Sequence, residues 1–276
     1  WVVTNAPDES RGRIVGGYIL VLSGSYMIGP LLLKALGTDT WLIYAVPTVI
    51  ILASAVPLIL GRAGIPEPRP DEAAGLFTAL RYFRTDPMVT FGVVLFGVIE
   101  FGAMGLIAVW GLRSGFEQET AVAFVFWLAF GSALCQVPVG WAADRFDRRR
   151  LLAGAAVISI AAPLVLIAAA REAWIVNAAV AVWGGTAVAF YSIALTELGS
   201  RYSGQAMAQA NAAVVLAYGL GSLAAPAAFG LAMDLIPPDG LLWLAVLAAC
   251  GYLALAIVRI QSQRRAPLDR PTGSDR

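Results

Sequence analysis

Residues 118–170 read QETAVAFVFWLAFGSALCQVPVGWAADRFDRRRLLAGAAVISIAAPLVLIAAA, two apolar runs joined by a loop whose charges are confined to residues 144–150. Each run reaches the roughly 20 residues that cross about 30 Å of hydrocarbon at about 1.5 Å per residue. Neither run alternates in polarity as a barrel strand would, and both are apolar all round and rich in Ala, Leu and Gly. The pattern predicts two membrane-spanning helices with a short charged turn between them.

Working outward, the same length criterion marks eight spans, at 13–35, 40–61, 87–110, 118–142, 151–170, 173–198, 206–232 and 240–260. The composition agrees. Apolar residues make up 59% of the 276 and charged residues 13%, against roughly half and a quarter in a soluble chain, and the mean hydropathy is +0.76. The predicted fold class is therefore all-α transmembrane. Alternate connections divide the 19 basic residues into 16 on one side and 3 on the other, the three being Lys34, Arg113 and Arg171. Cytoplasmic loops retain Lys and Arg, so both ends of the chain are expected in the cytoplasm. A miscounted helix would have mixed the two sets.

Several function classes are excluded by what the chain lacks. A net charge of +1 gives no basic field for nucleic acid. There is no histidine, which removes His triads, His-ligated zinc and imidazole relays. Cys135 and Cys250 lie far apart in apolar runs without CxxC spacing, and read as small buried hydrophobes. No G-x-x-x-x-G-K-[ST] loop is present for a nucleotide. Ser23 and Ser25 flank Gly24 without a base at their depth, since Lys34 is near the far end of that run, which argues against an intramembrane hydrolase. Neither metal nor cofactor is implied, and the protein is expected not to be an enzyme.

The longest connection, 62–86, carries Pro66, Pro68 and Pro70 and then Leu76, Phe77, Leu80 and Phe83 at helical spacing, a linker with an interfacial helix. It leaves two spans before it and six after. An internal repeat accounts for the asymmetry. A shift of 196 lays Ser25, Gly29 and Pro30 on Gly221, Ala225 and Pro226, and a shift of 200 pairs Asp39, Leu42, Ala45 and Val46 with Asp239, Leu242, Ala245 and Val246. The first two spans then correspond to the last two, as in a six-helix unit lacking its first four helices. The chain opens on Trp1, and Trp1–Ala6 reads as the tail of an apolar helix, so the sequence is expected to be a fragment.

The loop Gly140-Trp-Ala-Ala-Asp144-Arg145-Phe-Asp147-Arg148-Arg149-Arg150 resembles the G-x-x-x-D-R-x-G-R-R signature of the major facilitator superfamily, which joins the second and third helices of each six-helix half. Leu112-Arg113-Ser-Gly115, Gln136-Val-Pro138-Val-Gly140-Trp141 and Ala217-Tyr218-Gly219-Leu220-Gly221 with Pro226 resemble a bacterial permease subgroup typified by YcaD, mostly over residues 87–232. The resemblance implies a major-facilitator-type bundle in which the eight spans are helices 5 to 12 of twelve. Residues 1–61 would close the first half, 62–86 form the cytoplasmic linker, 87–262 form the second half and 263–276 a cytoplasmic tail.

On that resemblance Gly140, Asp144, Arg145, Arg148 and Arg149 form a gating motif. Gly140 allows close helix approach, and Asp144 faces the N-terminus of a neighbouring helix near Arg13–Gly17. The arginines pair with Glu197, a contact expected to part when the halves rock. Asp147 replaces the second glycine of the signature, and Asp is among the few other residues that tolerate a left-handed backbone. Glu100, near the middle of its span, needs a proton, a partner or water. It is the expected proton-coupling or substrate acid, with a buried packing role as the alternative. Gln136, Tyr191, Asn211 and Tyr218 lie in helices that the family places beside the cavity, where each serves equally as interhelical glue. Asn177 and Trp183 are weaker candidates, and Trp41, Trp110 and Trp174 read as interface anchors.

The function expected is secondary transport of a small solute across the bacterial inner membrane by alternating access, with protons as a second partner, the lipid bilayer as surroundings and one full-length chain sufficing. A membrane-embedded binding or scaffold protein that keeps the fold and moves nothing is the other reading left open.

Overall fold

The computed structural model describes residues 40–60, 76–169, 172–202 and 204–264, with scattered positions between 24 and 37. Among the described residues every regular element is helical: α1 (Leu42–Leu60), α2 (Leu76–Thr85), α3 (Pro87–Arg113), α4 (Gln118–Arg145), α5 (Arg148–Ala168), α6 (Ala173–Arg201), α7 (Gly204–Leu235) and α8 (Gly240–Arg264). Six of them, α3 to α8, are long and apolar enough to cross a membrane. These helices and α1 follow the spans expected from hydropathy to within a few residues. Helix α4 outruns its apolar stretch, ending at Arg145, and α6 does the same, ending at Arg201. Most of the expected first span, the three linker prolines and the tail beyond Arg264 lie outside the described residues.

The chain forms two compact units, Trp1–Ala73 and Ala74–Arg276. Helix α1 belongs to the first, and α2 to α8 build the second. The spans of this second unit are nearly uniform in hydrophobicity around their circumference, so packing is decided by shape rather than by an apolar stripe. At the α4–α6 crossing, a Cβ on Gly131 would stand 1.7 Å from the carbonyl oxygen of Ala181, and one on Gly184 would stand 2.0 Å from that of Leu128. Only glycine lets these backbones touch. Ser132 Oγ donates to the Gly184 carbonyl at 2.8 Å across the same crossing. Helix α5 joins α6 through a 2.8 Å hydroxyl pair, Ser159 with Thr186, and the Tyr252 hydroxyl of α8 donates to the Met88 carbonyl of α3 at 3.0 Å.

Helix α2 forms where expected. Ala79 and Tyr82 are buried against the unit while Phe77 is 87% exposed, so the aromatic rim of an interfacial helix points away from the protein. Two expectations are corrected. Trp110 is not an interface anchor, because it is fully buried and donates from Nε1 to Asp239 Oδ1 at 2.9 Å; Trp41 and Trp174 are exposed, as anchors require. The cysteines are not both interior, since Cys135 is half-buried and Cys250 exposed. In a bundle surrounded by lipid an apolar residue has no need to face inward.

Candidate functional site

Glu100 occupies the midpoint of the 27-residue span Pro87–Arg113, within a π-helical turn, Val98–Ala103. A π-turn inserts one residue into the helix and re-aims the side chains around it. Here the Tyr218 hydroxyl of α7 donates to Glu100 Oε2 at 2.8 Å. The approach depends on small residues on both helices. A Cβ on Gly97 would lie 2.7 Å from the Tyr218 carbonyl oxygen, and one on Gly221 would lie 2.3 Å from that of Val94. Around the pair stand aromatic rings. Phe96 stacks on Tyr191 of α6 and on Tyr218, with centroids 5.0 and 5.5 Å apart, and Phe101 meets Tyr218 edge-on at 5.9 Å.

At one end of the unit a two-residue link, Phe146 and Asp147, joins α4 to α5. Asp147 has φ −61° and ψ 112°, and its carboxylate accepts the Arg150 backbone N–H at 2.9 Å. The left-handed backbone expected at this position is therefore not used: aspartate replaces the glycine of the signature as a helix N-cap. Arg148 gathers three elements, donating to Glu197 Oε2 at 3.0 Å, to Ser200 Oγ at 2.6 Å and to the Ala143 carbonyl at 3.2 Å. Glu197 also pairs with Arg201. Arg201 reaches Asp86 Oδ1 at 2.6 Å, and the Tyr202 hydroxyl donates to Asp86 Oδ2 at 2.5 Å. Burial, that hydrogen bond and the negative charge of Asp86 push the Tyr202 hydroxyl up to about 12, so it remains a donor at any physiological pH. Asp86 is 8% exposed, and a carboxylate so buried is tolerated only when paired.

The result is a ladder of alternating charge, Asp86, Arg201, Glu197 and Arg148, that ties the starts of α3 and α5 to the end of α6. The predicted Arg148–Glu197 contact is present. Both residues belong to the second unit. Asp144 is exposed and makes no hydrogen bond or ion pair among the described residues. It borders an open hollow of about 330 Å³ together with Arg145 and Arg149, and the Arg145 guanidinium lies over the Trp141 ring, 4.5 Å from its centroid. Gly140 has no described atom within 4 Å of an added Cβ, so the close approach assigned to it is not made among the described residues.

Of the mid-membrane candidates, Glu100, Tyr191 and Tyr218 come together. Gln136 is half-buried on α4, one turn before Gly140, and Asn211 is exposed on α7, two turns before Tyr218. Asn177 Oδ1 and the indole N–H of Trp183 are buried in α6 without a hydrogen-bond partner among the described residues. Sequence reasoning missed Asp86, Arg201 and Tyr202. Asp86 before Pro87 carries the ordinary signal of a helix start, which conceals an ion pair formed 115 residues along the chain. Phe96 and Phe101 were hidden among apolar neighbours of the same span.

The family model described as Major Facilitator Superfamily matches residues 1–226. The uncharacterized MFS-type transporter Ent638_1421 of Enterobacter sp. (strain 638) is 23% identical over 277 residues, covering 97% of this chain and 70% of that protein. The uncharacterized MFS-type transporter YcaD of Escherichia coli O139:H28 (strain E24377A / ETEC) is 22% identical over 265 residues, covering 94% of this chain and 68% of its own. Among solved structures, a bacterial homolog of the human lysosomal transporter Spinster, inward-facing and unoccupied, superposes with a TM-score of 0.61 at 17% identity, over 93% of this chain and 71% of that one. At that identity the likeness is one of fold.

Proposed function

The chain belongs to the Major Facilitator Superfamily and is a multi-pass membrane transporter; from that premise we propose that it moves a small solute across the bacterial inner membrane by alternating access, with Glu100 as the carboxyl that couples the cycle to protons. The observation that carries this reading is the position of Glu100: a carboxyl at the midpoint of a span, on a π-turn, hydrogen-bonded to another helix. Such a group is expensive in a membrane, and one kept at this depth is by default a functional group. Replacing Glu100 by Gln in reconstituted vesicles is the test, with loss of gradient-driven accumulation as the expected result.

In this reading the charged end of the unit has two parts. The ladder from Asp86 to Arg148 holds the second unit together through the cycle, whereas Asp144, which has no ion pair among the described residues, is the charge that meets a partner in one state only. Asp144→Asn and Arg145→Ala are expected to slow solute uptake several-fold at unchanged membrane yield, because charges of this kind bias one state over another by about 1–3 kcal/mol. Glu197→Gln is expected to do the reverse, lowering yield, because Arg148 loses its carboxylate partner and Arg201 keeps only Asp86. Uptake at the wild-type rate in both Asp144→Asn and Arg145→Ala would reduce the motif to a topological signal.

Orientation follows from the basic residues, 16 of which fall on one side, with both ends of the chain in the cytoplasm. A reporter fused in the loop at Arg171 is expected to read the periplasmic side and one at Arg148 the cytoplasmic side. A cytoplasmic signal at Arg171 would overturn the helix order.

A further inference from the structure

The surroundings of Glu100 bear on what the solute is. Tyr218 supplies one neutral donor to a carboxylate that can accept about four hydrogen bonds. In the described spans the basic residues are confined to helix ends, at Arg113, Arg145, Arg148–Arg150, Arg201, Arg259 and Arg264, and none stands near mid-span. The second unit therefore holds no internal counter-cation for Glu100 among its described residues. The other neighbours are rings: Phe96, Phe101, Tyr191 and Tyr218 have successive centroids 5.0 to 5.9 Å apart. Phe101, next to Glu100 in sequence and edge-on to Tyr218, is 44% exposed. The nearby Ser222 hydroxyl donates to the Tyr218 carbonyl of its own helix at 2.8 Å. A carboxylate and the negative faces of aromatic rings both attract positive charge and repel an anion.

We propose that the solute is a lipophilic organic cation, its charge set against the Glu100 carboxylate and its apolar body lying on the rings of Phe96, Phe101 and Tyr218. This rests on the transport reading and names the substrate class of the same site.

Equilibrium binding of radiolabelled tetraphenylphosphonium to the purified protein in detergent is the test. Saturable binding is expected, weakened roughly tenfold or more in Glu100→Gln, kept within a few-fold in Glu100→Asp, and weakened about threefold to tenfold in Phe96→Leu. Triphenylphosphine oxide, similar in shape but uncharged, should fail to compete. No saturable binding, equal binding by Glu100→Gln, or equal competition by the uncharged compound would overturn the proposal. Uptake into vesicles separates the two readings. Glu100-dependent transport of other solutes without tetraphenylphosphonium binding would overturn the cation and leave transport standing. Glu100-dependent binding without uptake would leave the cation and overturn transport.

Discussion

Glu100→Gln is expected to collapse gradient-driven accumulation while leaving exchange of solute across the membrane intact at saturating concentrations. Glutamine keeps the shape of the side chain and can still accept from the Tyr218 hydroxyl, so the packing of α3 on α7 survives. What disappears is the proton site. At one proton per solute, a gradient of one pH unit drives about tenfold accumulation, and without coupling the ratio returns to about one. Exchange need not release the proton and should continue. If glutamine leaves accumulation unchanged and alanine merely lowers the yield of protein, Glu100 is a packing group and the coupling carboxyl lies elsewhere.

Gly131→Ala and Gly184→Ala are each expected to destabilise the protein by about 2–3 kcal/mol, the upper part of the range for overpacking. A methyl group 1.7 Å from the Ala181 carbonyl oxygen, or 2.0 Å from that of Leu128, cannot be accommodated by turning a side chain. The backbones of α4 and α6 must separate, and the Ser132–Gly184 hydrogen bond is lost with them. Without a strong hydrophobic force between helices in lipid, close packing carries much of the association. Thermal unfolding in detergent measures the effect. Gly140→Ala, where an added methyl meets no described atom, provides the contrast and should unfold at the wild-type temperature. Equal behaviour of all three variants would mean that the α4–α6 crossing is not tight.

How much of the molecule is legible in the sequence depends on whether the signal is local. Helix existence and order are legible because hydrocarbon thickness imposes a length on each apolar run, and α1 and α3 to α8 follow it. Glu100 stands out because carboxylates are rare at such depth. The Gly-Asp-Arg spacing draws attention to Arg148 and Glu197, which the fold joins. Inner and outer faces are not legible. Burial in lipid is not coupled to hydrophobicity, so Cys250 departs from expectation, and Trp110 carries the composition of an anchor while buried on Asp239. The ladder through Asp86 and Arg201 is hidden for a different reason. Its members are distant in sequence, and each has a commonplace local role, one as a helix start and the other as a topological charge.

Alternating access around Glu100 can be probed at Phe101, the exposed ring that follows it in sequence and meets Tyr218. With Cys135 and Cys250 replaced, a Phe101→Cys variant in sealed vesicles would be treated with a membrane-impermeant thiol reagent from one side or the other. Alternating access predicts labelling from each side separately, with solute or a proton gradient raising one rate while lowering the other. Labelling from neither side, or from one side only at a rate that solute and gradient do not change, would contradict it.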